Sequence, residues 1–318
     1  MKKVLDLSIK IIAICVLIGF ALSIVLFLPG YSNTKEEIII KPGMGAKDIA
    51  NLLTEKGIIP HPYLFMFVAR LYGKDRDIKA GKYILRKDMS LFEILKTIVE
   101  GRGVLEAVTI PEGLTSQQIA EILYKRGIIQ DKKEFLDIVK EKGLEGYLFP
   151  DTYYVPENYG ANRMIDMMLR RFREKLPKDF QKKAKEVGLT EKEVIILASL
   201  VEKEAKYPED RPKIASVFLN RLKKGMKLES CATIQYILKK PKPNLSYEDL
   251  KIKSPYNTYL YKGLPPGPIC NPGEASILSV LNPEKTDYLY FVVGKDGHHL
   301  FAKTYKEHLK NKRKVKAK

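Results

Sequence analysis

The sequence TEKEVIILASLVEKEAKY, which spans Thr190 to Tyr207, predicts a central helix of this protein. Apolar residues fill most of this stretch, and two carboxylates, Glu202 and Glu204, interrupt the apolar run near its end. At helical spacing Glu204 falls between Leu197 and Leu200, at one margin of the apolar face. Glu202 flanks the same face beside smaller apolar residues. The residues predicted to face solvent are Lys192, Ser199 and Lys203.

The two carboxylates of this helix have two interpretations. A carboxyl held against apolar walls has a raised pKa and stays protonated, which is the state that a general acid for glycosidic cleavage requires. Alternatively, both glutamates are boundary residues whose aliphatic stems pack while their carboxylates reach water, as is common at the margins of amphipathic helices. The pattern alone leaves both interpretations open.

The N-terminal segment predicts where the protein resides. Lysines precede an uncharged stretch, Ile11 to Leu28, that is long enough to cross a bilayer. We expect residues 1–10 to be cytoplasmic, residues 11–30 to form one transmembrane helix, and the remainder to lie outside the cytoplasm, because positive flanks stay inside. A cleaved export signal is the alternative, and it also places the bulk of the chain outside.

Composition excludes several classes of protein. The chain has 318 residues, 45% of them hydrophobic, so it is long enough for two or three compact units. Its three cysteines are too few for a disulfide framework, and whether Cys231 and Cys270 pair stays open. Acidic residues are interleaved with basic ones despite a net charge of +18, which argues against a nucleic-acid partner. Residues 310–318 form a basic tail, interpreted as a disordered end or an anchor to an anionic surface.

An internal repeat organises the region after the predicted span. A shift of 70 positions superimposes ten identical residues without a gap. Each copy predicts a short strand, a helix ended by glycine, and a second helix. We therefore expect two related small α+β units, at residues 37–105 and 106–180, which serve as a binding module or as a spacer. The first copy contributes Ile40, Gly43, Ile49, Ala50, Leu53, Gly57, Ile58, Ile59, Phe65 and Tyr83.

The region 181–309 predicts a C-terminal mixed α/β domain rich in Pro, Gly, Asn and Tyr. Proline-rich loops are rigid, and Asn, Thr, Ser, Gln and Tyr side chains both donate and accept hydrogen bonds. Such loops suit a groove for a polymer that carries hydroxyl and amide groups, although simple structural turns would explain them equally. Near the C-terminus, Asp287 to Val293 and Gly297 to Phe301 predict a β-hairpin.

Six motifs in this order resemble the endolytic murein transglycosylase family over nearly the whole chain. The first repeat copy is similar to the LysM-like unit of that family. The resemblance implies that the second glutamate of Glu202-Lys-Glu204 is the catalytic residue. One departure is Cys231-Ala232, where many relatives have Asp-Pro, which puts in doubt a polar role for that loop position. The motifs are Tyr147–Tyr153, Ala198–Glu204, Val217–Leu222, Ser254–Tyr259, Gly263–Gly267 and Tyr288–Val292.

The resemblance implies lytic cleavage of peptidoglycan without a cofactor or metal. Glu204 would protonate the oxygen between N-acetylmuramic acid and N-acetylglucosamine and then deprotonate the 6-hydroxyl of the muramyl ring, which closes a 1,6-anhydro end. The cuts would fall within nascent strands at the bacterial cytoplasmic membrane and end glycan elongation, which suggests peptidoglycan synthases as partners. Candidates for binding sugar are Glu202, which is more easily explained as structural, Asn220, Thr233, Gln235, Tyr256 and Asn257.

Two other functions are compatible with parts of the sequence. A metal hydrolase could use histidines and a carboxylate near the C-terminus as zinc ligands, although adjacent histidines in a hairpin point to opposite faces. A non-catalytic, membrane-anchored scaffold could use the repeat to bind peptidoglycan. The metal alternative rests on His298, His299, Glu307 and His308.

Overall fold

The computed structural model describes residues 34–41, 43–101, 103–239 and 242–316. The predicted membrane span at residues 11–30 lies outside these ranges. Within them, no helix combines the length and the apolar character needed to cross a membrane.

The described residues form twelve α-helices and six short strands, so the predicted mixture of α and β structure is confirmed. Two single turns of 3-10 helix lie at Pro208–Asp210 and Asp249–Lys251. The strands are β1 (Lys35–Ile40), β2 (Gly81–Arg86), β3 (Glu106–Thr109), β4 (Thr152–Val155), β5 (Tyr290–Val293) and β6 (His299–Ala302). The helices are α1 (Ala46–Glu55), α2 (Pro62–Leu71), α3 (Leu91–Glu100), α4 (Ser116–Lys125), α5 (Lys132–Glu141), α6 (Ala161–Lys175), α7 (Phe180–Glu186), α8 (Glu191–Glu204), α9 (Arg211–Lys223), α10 (Cys231–Leu238), α11 (Glu274–Leu281) and α12 (Tyr305–Lys316).

The strands pair as three separate two-stranded sheets: β1 with β2, β3 with β4, and β5 with β6. The β1–β2 pair is antiparallel and runs in register from Lys35 opposite Arg86 to Ile40 opposite Gly81. The β5–β6 hairpin is also antiparallel, with Tyr290 opposite Ala302. The predicted hairpin near the C-terminus is thus confirmed, although its first strand begins at Tyr290 and not at residue 287.

The repeat seen in the sequence recurs in the local structure. Helices α4 and α5 begin and end 70 residues after α1 and α2, and each helix pair is preceded by one strand and followed by another. Equivalent apolar residues are buried in both copies: Ile49 and Ile119 are inaccessible to solvent, as are Phe65 and Phe135. The same apolar spacing therefore builds the same strand–helix–helix–strand order twice.

The chain divides into two compact units. The first contains the described residues up to Val108 together with Arg126–Gln130 and Tyr154–Gly160, and the second contains Thr109–Lys125, Asp131–Tyr153 and the chain from Ala161. In the first unit, apolar residues of β1, β2, α1, α2 and α3 form one core. The domain boundaries drawn from the sequence at residues 105 and 180 stay predictions.

Helix α8 is the centre of the second unit. Its first turn is fixed by a capping box in which the Thr190 hydroxyl accepts from Glu193 N–H and the Glu193 carboxylate accepts from Thr190 N–H. Every residue from Val194 to Val201 is buried, and α8 packs against α7, α9, α10 and α11. Phe149 and Phe172, which precede the predicted start of the catalytic domain at residue 181, belong to the same core.

Two expectations from the sequence are wrong. Ser199 does not face solvent: it is fully buried, and its hydroxyl donates to Ile196 O (2.7 Å) and accepts from Ile269 N–H (3.0 Å). Because neighbouring elements surround the buried part of α8 on all sides, the face that carries Ser199 is also part of the core.

The interpretation of the basic tail as a disordered end is also wrong as far as Lys316, because these residues belong to α12. The buried His308 stacks on Tyr290 and fastens this helix to β5.

We expect Gly146→Ala to destabilise the protein more than Gly143→Ala. Both glycines have positive φ, +90° and +62°, so alanine costs about 1 to 3 kcal/mol of backbone strain at either site. A methyl group at Gly146 would also overlap the ring of Pro268, whereas one at Gly143 meets no atom within 4 Å. Overpacking adds roughly 1 to 3 kcal/mol at Gly146 alone. Equal shifts of the two variants in urea unfolding would contradict this packing.

Candidate active site

Glu204 is the last residue of α8 and is partly exposed, so a ligand can reach it. Its carboxylate accepts a hydrogen bond from the Ser230 hydroxyl, with 2.5 Å between Ser230 Oγ and Glu204 Oε1, and another from the backbone N–H of Ala232. Burial of the carboxyl raises the pKa of Glu204, and the Ser230 hydroxyl, the proximity of His299 and the Ala232 N–H partly offset that rise. The site therefore favours a protonated acid while holding one of its oxygens in place.

The turn that carries Ser230 is held by a network of hydroxyl groups. Ser230 N–H donates to Thr258 Oγ1 (3.0 Å), and the Thr233 hydroxyl donates to Ser230 O (2.8 Å). Thr233 and Thr258 also bond to each other at 3.0 Å, and both are buried. Glu229, just before the turn, has a φ of +53°, a left-handed backbone conformation that is uncommon for a residue other than glycine. The predicted Thr233 thus lies behind the turn and positions Ser230, so its contact with sugar stays a prediction.

Two other predicted binding residues are engaged within the protein. The fully buried Asn257 donates to the carbonyls of Leu250 and Ile252 and accepts from Tyr259 N–H. Asn220, on α9, donates to the carbonyls of Thr286 and Tyr288 in the segment that leads into β5. Because Asn220 binds the carbonyls of residues 286 and 288, β5 begins at Tyr290 and not at residue 287 as predicted. Direct contact of either amide with sugar stays a prediction.

Glu202 lies in a buried ionic site that is distinct from the surroundings of Glu204. Its side chain is 6% exposed, and its Oε1 lies 3.5 Å from an Arg211 Nη atom. Its Oε2 accepts from the Ser276 hydroxyl (2.7 Å) and from Gly273 N–H (3.1 Å), just before α11 begins. Glu202 therefore connects α8 to α9 and α11, which fits its structural interpretation better than sugar binding.

A cavity of about 530 Å³ in the second unit is lined by residues that neighbour Glu204. Ala232, whose N–H bonds to Glu204, lines it, and so do the predicted residues Gln235 and Tyr256. Tyr256 packs against Tyr236 with ring centroids 5.0 Å apart. The amide of Gln235 bonds to the backbone N–H and carbonyl of Lys242. Two of the predicted sugar-binding residues therefore meet at a site that can hold a ligand.

Glu145, which the sequence analysis did not single out, also lines this cavity. Its carboxylate accepts from Ser116 N–H (3.0 Å) and from the Asn271 side-chain amide (3.0 Å). Burial raises the pKa of Glu145 to about 7, although these hydrogen bonds stabilise the carboxylate. Asn271 also accepts from Gly146 N–H and Leu148 N–H, so this network holds together three loops around the cavity.

The histidines near the C-terminus occupy three different environments. His299 is buried, and Asp210 Oδ2 lies 2.9 Å from both its Nδ1 and its backbone N. His298 is exposed and stacks on Tyr207, while His308 packs in α12. In the described part of the chain, no three His, Cys, Asp or Glu residues lie close enough together to hold a metal ion.

The two cysteines of the second unit are free thiols. Cys231 is exposed, with 2.9 Å between its Sγ and the Tyr259 hydroxyl, whereas the buried Cys270 packs at the carbonyl of Ser199. The pairing left open by the sequence is thus absent in this structure.

Two functional candidates were not predicted from the sequence: Ser230 and Glu145. Ser230 immediately precedes α10, where a serine is a common N-cap, so it carried only a local structural signal. Ser230 contacts Glu204 only because the chain folds back to the end of α8, and local periodicity does not predict such a long-range contact. Glu145 lies two residues before the motif that begins at Tyr147, which is a signal in the sequence. The sequence does not show that its carboxyl is buried.

Comparison with known proteins identifies the family of this chain. Residues 38–314 match the model of the YceG-like family. A protein named endolytic murein transglycosylase from Bacillus subtilis (strain 168) is 37% identical over 309 residues, which cover 89% of this chain and 85% of the relative. A protein of the same name from Streptococcus pneumoniae serotype 2 (strain D39 / NCTC 7466) is 34% identical, and the match covers 89% of this chain and 59% of that relative.

A solved structure shows the same family relationship. The 2.6 Å crystal structure of the yceG-like protein lmo1499 from Listeria monocytogenes superimposes with a TM-score of 0.59 at 34% identity. The match covers 87% of this chain and 98% of that one. Because the family model spans most of the residues and relatives share a third or more of them, the chain belongs to the YceG-like family.

Proposed function

We propose that this protein is an endolytic peptidoglycan lytic transglycosylase in which Glu204 serves as both acid and base. The observation that carries the proposal is the desolvated carboxyl at the end of α8, with one oxygen held by Ser230 and its pKa raised by burial. Relatives named endolytic murein transglycosylase support the substrate class.

The reaction begins with proton transfer from Glu204. In this mechanism the proton is carried by Oε2, the oxygen that Ser230 does not contact. Oε2 gives this proton to the oxygen between the muramyl ring and N-acetylglucosamine. The bond from the muramyl C1 to that oxygen breaks, its electron pair stays on the departing sugar, and positive charge develops at C1.

The second step uses the carboxylate formed in the first. Glu204 takes the proton of the 6-hydroxyl of the muramyl ring, and that oxygen attacks C1 to close the 1,6-anhydro ring. Glu204 ends protonated, as it began, and no water is consumed. The reaction does not need a second carboxylate as nucleophile, and Glu202 is engaged by Arg211, Ser276 and Gly273.

The cellular setting is a further part of this proposal. A transmembrane helix at residues 11–30 would hold the catalytic region outside the cytoplasm at the bacterial cytoplasmic membrane, where it could cut nascent strands and end their elongation. The first repeat copy would act as a LysM-like unit that binds glycan. Peptidoglycan synthases would be neighbours of such an enzyme. The sequence pattern of the N-terminus and the repeat support these statements.

We expect Glu204→Gln to abolish release of 1,6-anhydro-muramyl products from purified glycan strands. General acid–base catalysis contributes roughly 100-fold to 10,000-fold, and here one residue supplies both steps. Mass spectrometry of the released fragments measures the outcome. Cleavage by the variant near the wild-type rate would exclude Glu204 as the acid. Reducing ends in the wild-type products would identify a hydrolase, and absence of cleavage would favour a binding scaffold.

Glu202→Gln provides the matched control on the same helix. This change weakens a buried ion pair with Arg211 and should lower the thermal unfolding midpoint, while the folded fraction still cleaves glycan. Glu204→Gln should show the opposite pattern, with its unfolding midpoint near that of the wild type. If Glu202→Gln kept full stability and lost activity, the roles of the two glutamates would have to be exchanged.

We expect Ser230→Ala to move the alkaline limb of the kcat/KM profile to higher pH. The hydroxyl stabilises the carboxylate form of Glu204, so its removal raises the pKa and the acid stays protonated to higher pH.

Ser216→Ala is the control for the Ser230 variant, because its hydroxyl pairs with Thr286 and not with Glu204. Its pH profile should coincide with that of the wild type. A limb that stayed in place or moved to lower pH in Ser230→Ala would contradict the assigned hydrogen bond.

A further inference from the structure

The cavity beside Glu204 has an unequal supply of hydrogen-bond donors and acceptors. Four side-chain oxygen groups in its wall already accept bonds from the protein. Glu121 pairs with Lys125 and Lys132, and Glu145 accepts from Ser116 and Asn271. The side-chain oxygen of Gln118 accepts from Thr115 N–H, and that of Gln235 accepts from Lys242 N–H. The exposed Gln117 and the hydroxyl groups of Thr115, Tyr236, Ser254 and Tyr256 also line the wall, and a hydroxyl both donates and accepts.

The donors of the same wall are less engaged. Among the described residues, neither the Lys239 ammonium nor the Gln118 side-chain NH₂ has a hydrogen-bond partner. Lys203 Nζ makes one bond, 3.3 Å long, to the carbonyl of Gly113, which leaves two of its three protons for a ligand. These three groups present two positive charges and several N–H bonds to the cavity.

This distribution fits an acidic ligand better than an uncharged sugar. Sugar hydroxyls can bond to the hydroxyl groups of the wall, but they carry no charge to pair with its two ammonium groups. Carboxylates only accept, and ammonium and amide donors are their usual partners. The two carboxyls in the wall oppose an acidic ligand only weakly, because Glu121 is paired with lysines and the pKa of Glu145 is about 7.

We infer that this cavity binds the acidic peptide stem of the muramyl residue whose glycosidic bond is cut. The inference rests on the proposed function, since the stem is attached through the lactyl ether of that same ring. The muramyl ring must lie at Glu204 to be cleaved, and the cavity begins at Ala232, the residue whose N–H contacts that carboxyl. Tyr256, Tyr236 and Ile269 provide the apolar wall for small side chains of the stem.

The test compares two forms of the same uncrosslinked glycan: strands that carry their stems, and strands from which an amidase has removed them. For the wild-type protein we expect the ratio of kcat/KM, stem-bearing over stripped, to be well above one. In Lys239→Met that ratio should fall about threefold to fivefold, as expected for the loss of one partly solvated charge pair. Lys239→Arg should restore it.

Lys182→Met is the matched control. Lys182 is an exposed lysine on α7 that does not line the cavity, and its replacement should leave the ratio unchanged. A fall of the same size in this control would mean that overall charge, and not the cavity, sets the preference, which would overturn the inference.

Other outcomes separate failure of the inference from failure of the proposed function. If the wild-type protein cut both strands equally well, the stem would not be bound and the lytic activity would stand. If Lys239→Met slowed both strands by the same factor, the cavity would hold sugar instead of peptide. If neither strand gave 1,6-anhydro ends, the proposed function itself would fail.

Discussion

The burial of α8 on every side is the constraint on which the catalytic unit depends. From Val194 to Val201 the helix has no residue in contact with solvent, so each polar group on it or next to it needs a partner within the protein. Ser199 finds one in the backbone of residue 269, which ties the proline-rich loop to the helix. Glu202 and Glu204 meet the same requirement at the point where the helix leaves the core.

These two glutamates show how position within one helix turn separates two chemical roles. Arg211 and two hydrogen-bond donors stabilise the charge of Glu202, which fastens α8 to α9 and α11. Among the described residues no cationic side chain is bonded to Glu204, and its desolvation exceeds the stabilisation from Ser230 and Ala232, so its pKa is raised. Two carboxyls only two residues apart therefore lie in different environments, one desolvated and one in an ion pair.

The sequence predicts the parts of this structure that depend on local pattern. Periodicity and caps located α8, the C-terminal hairpin and the repeated strand–helix–helix order, and the motif resemblance identified the family, while catalysis by Glu204 stays a prediction. The predictions failed where the chain folds back on itself. Ser199 looked exposed because a helical wheel assumes a solvent face, and the meeting of Ser230 with Glu204 joins residues 26 positions apart. Asn220 and Asn257 were predicted to bind sugar because the sequence does not show the backbone carbonyls to which their amides donate.

The repeat shows how a structural unit can acquire a place at an active site while its core is kept. The two copies retain the same buried positions, and they differ at the positions that matter for the cavity. Gln118 and Glu145 correspond to Asp48 and Asp75 of the first copy. In the second copy the start of α4 and the turn after α5 line the cavity, and Glu145 bonds to the first backbone N–H of α4. Because the apolar spacing fixes the fold of each copy, the polar residues between those positions were free to change, and substitutions there could add binding groups next to Glu204 without disturbing the strand–helix–helix–strand unit.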